Sequence, residues 1–349
     1  MAKIDKILES AVKQKASDIH INVNRPPIFR IDGELVEMNG TNPLKKDEAE
    51  NLIYEILSDK QKHLLITNRE LDLSHEIKDL SRFRVNCFWE RDSIALAARI
   101  ISPSIPSMDD LMMPKVVHDL MKLKQGLVLV TGPTGCGKST SLAAMINLIN
   151  QERGDHIITL EDPIEFIYPK GSGKSLIVQR QLGTDMISFA QALKYVLRQD
   201  PNVILVGEMR DLETIAATIT LAETGHLVLA TLHTYNAAQT VDRIIDVFPP
   251  YQQNQVRLQL SLFLKGIISQ QLLPKKDGGR ISAREVLINT PAISNLIREN
   301  KVPQIKTVIQ TSADEGMFTI DQDLKRLYDE EYIEKEVAQS YMTTPSMIN

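Results

Sequence analysis

The chain has 349 residues, which is long for one domain and predicts two. Its formal net charge of -5 gives no overall basic excess that would attract nucleic acid, so no nucleic acid is expected as a direct partner. The two cysteines, Cys87 and Cys136, are too few for a disulfide framework or for a four-thiolate zinc site within one chain.

The amino-terminal segment predicts an amphipathic helix. Its apolar residues recur at helical spacing, at Ile4, Ile7, Leu8, Ala11 and Val12. The segment lacks the continuous apolar core of a signal peptide, and the longest apolar runs elsewhere have the length of a strand rather than of a membrane span. We therefore expect a cytoplasmic protein.

Residues 1–101 predict a small α+β domain. Runs of β-branched, aromatic and other apolar residues predict strands at 19–23, 28–31, 34–38, 83–89 and 94–101, and helical periodicity covers 46–57. Asp32-Gly33 is a tight-turn signal. We therefore expect strands 28–31 and 34–38 to form a hairpin.

Residues 102–107 predict a domain boundary. The segment reads Ser-Pro-Ser-Ile-Pro-Ser, and two prolines with three serines favour neither a helix nor a central strand. We therefore place one domain at 1–101, a linker at 102–107 and a second domain at 108–349. The linker serves either as a hinge or as an ordinary surface loop, and the sequence favours neither role.

From Gly126 onward strands alternate with helices, which predicts βαβ units and a mostly parallel sheet of the α/β class. Short apolar runs of the buried-strand type occupy 127–131, 157–160, 203–206 and 227–231. Residues suited to chemistry follow these runs, at the carboxyl ends of the strands, where open α/β sheets bind ligands. We expect the functional site at that edge.

The segment 132–139, Gly-Pro-Thr-Gly-Cys-Gly-Lys-Ser, matches the P-loop pattern, and a predicted helix at 141–150 follows it. The glycines allow successive backbone N–H groups to point at phosphate oxygens. Lys138 supplies charge to the β and γ phosphates, and the Ser139 hydroxyl binds Mg²⁺. The predicted ligands are ATP and Mg²⁺, and the predicted nucleotide contacts are Gly132, Pro133, Thr134, Gly135, Cys136, Gly137, Lys138, Ser139 and Thr140.

Hydrolysis also needs a group that positions water and further charge for the transition state. Glu208 follows the apolar strand 203–206 in the Walker B arrangement, so we predict that it reaches Mg²⁺ or the water shell of the ion. Glu161 follows strand 157–160, and we predict that it polarises the attacking water. A single acid after a strand is often only a turn or cap residue, but two in one P-loop domain favour catalysis.

Two histidines flank the strand predicted at 227–231. His233 follows the carboxyl end of this strand, where it can sense the γ-phosphate, and we predict a catalytic role for it. His226 precedes the strand and is a candidate for a nucleotide contact, although a lone histidine is often only a structural hydrogen-bonding group.

Taken together, these motifs resemble those of the type II/IV secretion ATPases and, within that family, the PilT-like retraction ATPases of type IV pili. The resemblance covers nearly the whole chain. It includes Ala-Ser-Asp-Ile-His at 16–20, the P-loop, an acidic Asp box at 159–165, the stretch 197–211 and a His box that ends at His233.

The resemblance implies a PAS-like amino-terminal domain followed by a RecA-like ATPase domain with a C-terminal helical region. It also implies a homo-hexameric ring with nucleotide bound between the two domains and arginines of the small domain reaching the phosphates. The matching residues are Arg84 and Arg99. They meet the physical requirement for cations beyond Lys138 in the transition state.

Two features favour the retraction branch of the family. Extension and secretion ATPases generally carry a four-cysteine zinc insertion after the His box, whereas this chain has no cysteine after Cys136. Residues 292–299, Ala-Ile-Ser-Asn-Leu-Ile-Arg-Glu, resemble the AIRNLIRE signature of the retraction ATPases, with Ser294 in place of arginine. The resemblance thus implies a motor that disassembles pili and drives twitching motility, with the inner-membrane platform protein and the pilus base as partners.

Other functions stay open on the sequence. An accessory retraction ATPase or a secretion ATPase of the same family would carry similar motifs. The acidic balance disfavours a RecA-like DNA motor, and the intact set of Lys138, Glu161 and Glu208 disfavours a ring subunit that does not hydrolyse ATP.

Cys136 stands where the P-loop of the family usually has serine. It lies two positions before Lys138 and beside the start of a helix, and both features favour a thiolate. We therefore expect its pKa to lie below that of a free cysteine, and we expect ATP to protect it from alkylation. The alternative is a buried thiol that fills space as a small apolar group.

Overall fold

The computed structural model describes residues 2–31, 33–78, 80–101, 104–168 and 171–348, and it divides into two compact units. The first comprises Met1–Ser104 and Pro163–Ile167, and the second comprises Ile105–Asp162 and Tyr168–Asn349. Asp32 of the expected turn, and Ser102 and Pro103 of the expected linker, lie outside the described residues. The domain limits placed at 101 and 108 stay a prediction.

The described part of the first unit folds as one antiparallel sheet with helices. The helices are α1 (Lys3–Lys13), α2 (Lys46–Tyr54) and α3 (Asp59–Asn68), and the strands are β1 (Asp18–Ile21), β2 (Ile28–Ile31), β3 (Glu34–Glu37), β4 (Glu70–Ile77), β5 (Ser81–Glu90) and β6 (Ser93–Ile101). The strand order is β3-β2-β1-β6-β5-β4. The expected hairpin is confirmed, because β2 pairs antiparallel with β3.

Helix α1 is amphipathic, as its sequence predicts. It buries Ile4, Leu8 and Ala11, which join the inward-facing residues of the sheet in one core. The sequence did not predict α3 or β4. Strand β4 pairs antiparallel with β5 at the end of the sheet.

The described part of the second unit is larger and alternates strands with helices before a helical carboxyl-terminal region. The strands are β7 (Gly126–Thr131), β8 (His156–Glu161), β9 (Leu176–Gln181), β10 (Val203–Val206), β11 (Leu227–Leu232), β12 (Leu264–Pro274) and β13 (Arg280–Ile288). The helices are α4 (Lys115–Leu120), α5 (Lys138–Glu152), α6 (Phe189–Val196), α7 (Leu212–Glu223), α8 (Ala237–Asp246), α9 (Pro250–Phe263), α10 (Pro291–Arg298), α11 (Ile305–Thr311), α12 (Ile320–Asp329) and α13 (Lys335–Tyr341).

The sheet of the second unit has the strand order β13-β12-β7-β11-β10-β8-β9. Every neighbouring pair is parallel except β12 with β13, which is antiparallel. The predicted α/β class is therefore confirmed. Because β7, β11, β10 and β8 run in the same direction, the loops that follow them emerge at one edge of the sheet.

The central strands are buried on both faces, which explains their continuous apolar sequences. Successive residues of β7 alternate between two cores: Leu127 and Leu129 face one, and Val128 and Val130 face the other. Helices pack on both faces, so the sheet is a rigid support for the loops at its edge. None of the helices among the described residues is both long enough and apolar enough to span a membrane.

Candidate nucleotide-binding site

The segment between β7 and α5 adopts a conformation that depends on its glycines. Gly132, Gly135 and Gly137 have φ values of 142°, 80° and 90°, in the region that residues with a side chain rarely adopt. A Cβ on Gly132 would lie 2.3 Å from the backbone oxygen of Gln270 and 2.6 Å from Cys136 Sγ. Because the backbone oxygen belongs to β12, it cannot move aside, and only glycine fits at this position.

The lysine of the loop is buried and held by the loop itself. Lys138 is 9% exposed, and its Nζ donates hydrogen bonds to the carbonyls of Gly132 at 2.8 Å and Pro133 at 3.0 Å. Lys138 also begins α5, and Ser139 follows it in the first turn. A fixed cation, glycine-enabled backbone amides and the amino end of a 15-residue helix together form a phosphate-binding arrangement.

Glu208 and His233 meet at the same edge of the sheet. The Glu208 carboxylate lies 2.7 Å from Arg210 Nε and 3.9 Å from His233 Nε2. Burial lowers the pKa of the His233 imidazole, and the charges of Lys138 and Arg210 lower it further, whereas Glu208 raises it. Leu232 of β11 pairs with Thr131, the residue before the P-loop, so His233 and its neighbour Glu208 lie beside the start of the loop that carries Lys138.

Glu161 ends β8 at the same edge, beside the strand that leads to Glu208. Its Oε1 accepts hydrogen bonds from Thr159 Oγ1 at 2.6 Å and from Gln179 Nε2 at 3.1 Å. A Cβ on Gly207 would lie 3.0 Å from the Leu160 carbonyl oxygen and 3.3 Å from Glu161 Cα. A glycine just before Glu208 therefore lets the two strand ends approach closely.

Hydrogen bonds join the end of β11 to the segment around Glu208. Thr231 Oγ1 donates a short hydrogen bond to the carbonyl of Gly207, and the Met209 N–H donates to the Thr231 carbonyl at 3.1 Å. These bonds hold the segment that carries Glu208 against the strand that leads to His233.

His226 lies at the opposite edge of the sheet. Its carbonyl accepts a hydrogen bond from the Gly126 N–H at the start of β7, and its Nδ1 lies 3.0 Å from the Leu221 carbonyl oxygen. The P-loop begins at Gly132, six residues further along β7, which corresponds to about 20 Å of strand. The structure therefore does not bring His226 to the P-loop of the same subunit.

The two arginines of the first unit are neighbours on its sheet. Arg84 on β5 pairs directly with Arg99 on β6, and both side chains are exposed. Arg99 is 69% exposed, and its Nε donates a 2.8 Å hydrogen bond to Asp18 Oδ1. Their action on the phosphates stays a prediction.

The expectation of a lowered pKa for Cys136 is wrong, and its protection by ATP stays a prediction. The thiol is 3% exposed, and burial raises its pKa, although the charge and backbone N–H of Lys138 act in the opposite direction. The helix start and the nearby lysine that favoured a thiolate are present, but desolvation outweighs them. The alternative of a buried, apolar thiol fits the structure.

Ser294, the departure from the AIRNLIRE signature, lies on α10 against α9. Its hydroxyl donates a 2.6 Å hydrogen bond to the carbonyl of Ser261 near the end of α9. The serine thus links the two helices through a local contact.

The site contains residues that the sequence did not single out. Thr159 and Gln179 hold Glu161, and Arg210 pairs with Glu208. The only available signal was proximity: Thr159 lies within the Asp box, and Arg210 lies two residues beyond Glu208. Gln179 lies on a strand that was not predicted, so no pattern pointed to it.

Comparison with known proteins extends over both units. The family model described as type II/IV secretion system protein matches residues 1–337. The type IV pilus retraction ATPase PilT of Pseudomonas aeruginosa is 45% identical over 342 residues, 98% of each chain. A twitching motility protein of Neisseria gonorrhoeae is 47% identical over 313 residues, 89% of this chain and 83% of its own. The crystal structure of the pilus retraction motor PilT with bound ADP matches with a TM-score of 0.92 at 45% identity, over 99% of this chain and 98% of that one.

Proposed function

The chain belongs to the type II/IV secretion system protein family, and on that premise we propose that it is the ATPase that powers retraction of type IV pili. The observation that carries the proposal is the 45% identity to a pilus retraction ATPase over 98% of both chains. The P-loop, Glu161, Glu208 and His233 all lie at one edge of the second sheet, which supports an intact hydrolytic site.

In the proposed reaction, the backbone N–H groups of the P-loop and Lys138 bind the phosphates of ATP. Glu161 accepts a hydrogen bond from the attacking water and orients it toward the γ-phosphorus atom. The bond between the γ-phosphorus atom and the bridging oxygen of ADP breaks as the water oxygen bonds to that phosphorus atom. The products are ADP and phosphate. Thr159 and Gln179 keep the Glu161 carboxylate in place.

The residues present fit Mg²⁺. Among the described residues, no group of three or more His, Cys, Asp or Glu side chains could hold a metal ion. Mg²⁺ needs no such cluster, because it usually takes only one or two protein ligands and keeps phosphate oxygens and water as the others. Ser139 and Glu208 would supply the hydroxyl and the carboxylate, and the ion would neutralise charge on the β and γ phosphates.

The remaining parts of the proposal rest on the family. We propose a homo-hexamer on the cytoplasmic side of the inner membrane, with the platform protein and the pilus base as partners. We also propose that Arg84 and Arg99 of domain 1–101 supply positive charge to the transition state, and that the linker at 102–107 joins this domain to the ATPase domain at 108–349. Exposed, paired arginines on one sheet support this assignment.

The proposed function is tested by deleting the gene and scoring surface pili and twitching. We expect retained pili and lost twitching, restored by the wild-type gene but not by a Lys138→Ala gene expressed at the same level. A deletion strain that twitches normally would contradict a primary retraction role. Twitching reduced only under load would indicate an accessory retraction ATPase.

A further inference from the structure

Strand β12 runs beside the P-loop, although the chain reaches it far later. Its pairing with β7 ends at Ser269 opposite Thr131, the last residue before the loop. The next residue of β12 is Gln270, which is only 1% exposed. A buried glutamine therefore lies alongside the loop that binds phosphate, outside every motif that the sequence predicted.

Gln270 contacts the beginning and the middle of the loop and the helix that follows it. Its backbone oxygen lies 2.3 Å from the position that a Cβ on Gly132 would take. Its side-chain Nε2 donates a 2.8 Å hydrogen bond to the carbonyl of Cys136, and its Oε1 accepts a 2.9 Å hydrogen bond from Ser141 Oγ in the following helix. One step earlier on β12, Ser269 Oγ accepts a hydrogen bond from Thr131 Oγ1 at 2.8 Å.

The bond to the Cys136 carbonyl has a consequence for the next amide. The peptide unit between Cys136 and Gly137 is planar, so its C=O and N–H point in opposite directions. When the Gln270 amide holds the carbonyl against β12, the Gly137 N–H points away from β12. That N–H is one of the donors that a P-loop directs at phosphate.

The Cys136 carbonyl determines which way the Gln270 amide faces, because a carbonyl only accepts hydrogen bonds and the NH₂ group must therefore face it. The Ser141 hydroxyl can donate or accept, and it donates to the Oε1 atom that is left on the side of α5. The three residues thus form one hydrogen-bonded chain from α5 through β12 to the loop. Both polar ends of Gln270 have partners, so the chain has a single favourable arrangement.

We propose that Gln270 is a positioning residue for nucleotide binding, which orients the Gly137 N–H by holding the Cys136 carbonyl and is itself held by the Ser141 hydroxyl. The inference rests on the proposed ATPase function. Gln270 touches the loop rather than the reacting atoms, so it prepares the loop for phosphate before the nucleotide arrives.

The first experiment measures ADP affinity of the full-length protein by titration with a fluorescent ADP analogue. We expect Gln270→Leu to weaken affinity by about tenfold, because a neutral hydrogen bond and the aim of one phosphate donor are lost. Ser141→Ala should weaken it less, since the amide keeps its partner on the loop. The matched control is Gln253→Leu, which removes a glutamine that also donates to a backbone carbonyl, that of Phe248, away from the P-loop.

The second experiment reads the loop directly, through the thiol of Cys136. Gln270→Leu should speed the reaction of Cys136 with a maleimide severalfold, because release of the carbonyl opens the loop, and this gain in access should outweigh the loss of the Gln270 hydrogen bond that lowers the pKa of the thiol. Cys87, buried in the first unit, is the internal control and should stay unreactive. A role of Gln270 in the stability of the second unit alone would speed Cys136 labelling together with a lower melting temperature and leave ADP affinity unchanged well below that temperature, and that result would overturn the proposal.

Unchanged ADP affinity and unchanged Cys136 labelling in Gln270→Leu would also overturn it. If Gln270→Leu does not fold, ADP affinity and Cys136 labelling are measured on Ser141→Ala instead, and the same outcomes support or overturn the proposal. The labelling comparison needs no nucleotide, so it tests the loop even if the wild-type protein fails to bind ADP. That failure would count against the proposed function and not against the positioning of the loop.

Discussion

The two units hold their proposed phosphate-binding cations in opposite ways. In the second unit, Lys138 is 9% exposed and hydrogen-bonded to two carbonyls of its own loop. In the first unit, Arg84 and Arg99 stand on the exposed face of a sheet, and Arg99 is 69% exposed with Asp18 as its ion-pair partner. One cation is fixed before a ligand arrives, whereas the others keep most of their contact with solvent.

This difference separates two tasks. A preorganised cation loses little entropy when phosphate binds, so it suits ground-state binding. Exposed arginines must be ordered and partly desolvated on contact, and a planar guanidinium matches phosphate oxygens with two donors at once. They suit a contact that becomes strong only as charge develops on the transferred phosphoryl group.

The largest expected effect comes from removing the fixed cation. Lys138→Ala should lower kcat/KM for ATP by about a thousandfold, because a desolvated charge that meets the phosphates in both the ground and transition states is lost. Lys124→Ala, at an exposed position before β7, is the control and should keep the wild-type value. Nucleotide affinity equal to wild type in Lys138→Ala would show that the loop is not the phosphate site.

The second largest effect is expected for a substitution that leaves Lys138 and both arginines in place and separates nucleotide binding from turnover. Glu161→Gln should keep ADP affinity and lower turnover by about a hundredfold, since the amide preserves the shape but not the charge that polarises water. Steady-state hydrolysis and ADP titration on the same sample measure the two quantities. Glu152→Gln, at the exposed end of α5, is the control. Wild-type turnover in Glu161→Gln would move the role to Glu208.

Removing the exposed cations should have a smaller effect that falls on kcat. Arg84→Ala and Arg99→Ala should each lower turnover by about tenfold and change ADP affinity less. Asp18→Asn provides a matched control, because it breaks the ion pair of Arg99 and leaves the arginine in place. Equal losses in Arg99→Ala and Asp18→Asn would mean that the ion pair matters, rather than the guanidinium.

The smallest effect tests whether the loop that fixes Lys138 is closed to solvent. Because burial raises the pKa of the Cys136 thiol, the fraction of reactive thiolate at pH 7 should be below that of a free cysteine. Labelling should rise with pH by about tenfold per unit below the pKa. Cys136→Ser should keep turnover near wild type. Fast labelling at pH 7 would restore the expectation of an activated thiol.

The sequence predicted the central strands well, for a physical reason. Strands β7, β8, β10 and β11 are buried on both faces, so their sequences are continuously apolar and stand out from their surroundings. The polar side chains that follow them then had to meet at one edge. Most of the candidate site therefore followed from the strand pattern and the P-loop.

The missed elements lacked that contrast. Strands β4 and β9 lie at the ends of their sheets, and polar residues interrupt both: β4 reads Glu-Leu-Asp-Leu-Ser-His-Glu-Ile, and β9 has only three apolar residues before Gln-Arg-Gln. Strand β12 begins directly after α9, and its glycine, Gly266, lies inside the strand rather than at the junction. For this reason Gln270, the residue that contacts the P-loop most closely from another strand, was invisible in the sequence.

Proximity in sequence does not give the environment of a side chain, as two residues show. His226 is adjacent to the same strand as His233, but a strand carries its two ends to opposite edges of the sheet, so a nucleotide contact of His226 stays a prediction without support from the P-loop of the same subunit. Cys136 has the motif neighbours of an activated thiol, whereas its pKa is decided by burial that no motif encodes. Both differences concern where the side chain lies rather than what it can do.

The late position of β12 in the chain also has a consequence for synthesis on the ribosome. Thr131 and Ser269 are 138 positions apart in sequence yet share a hydrogen bond. While a growing chain ends before Leu264, β7 lacks β12, one of its two neighbouring strands, and the P-loop lacks its contacts with that strand. Chains stalled with β12 still unmade should gain no protease protection from ADP, whereas chains stalled after the full protein has emerged should gain it. The residues of the P-loop are thus synthesised early, whereas the strand that packs beside them is synthesised late.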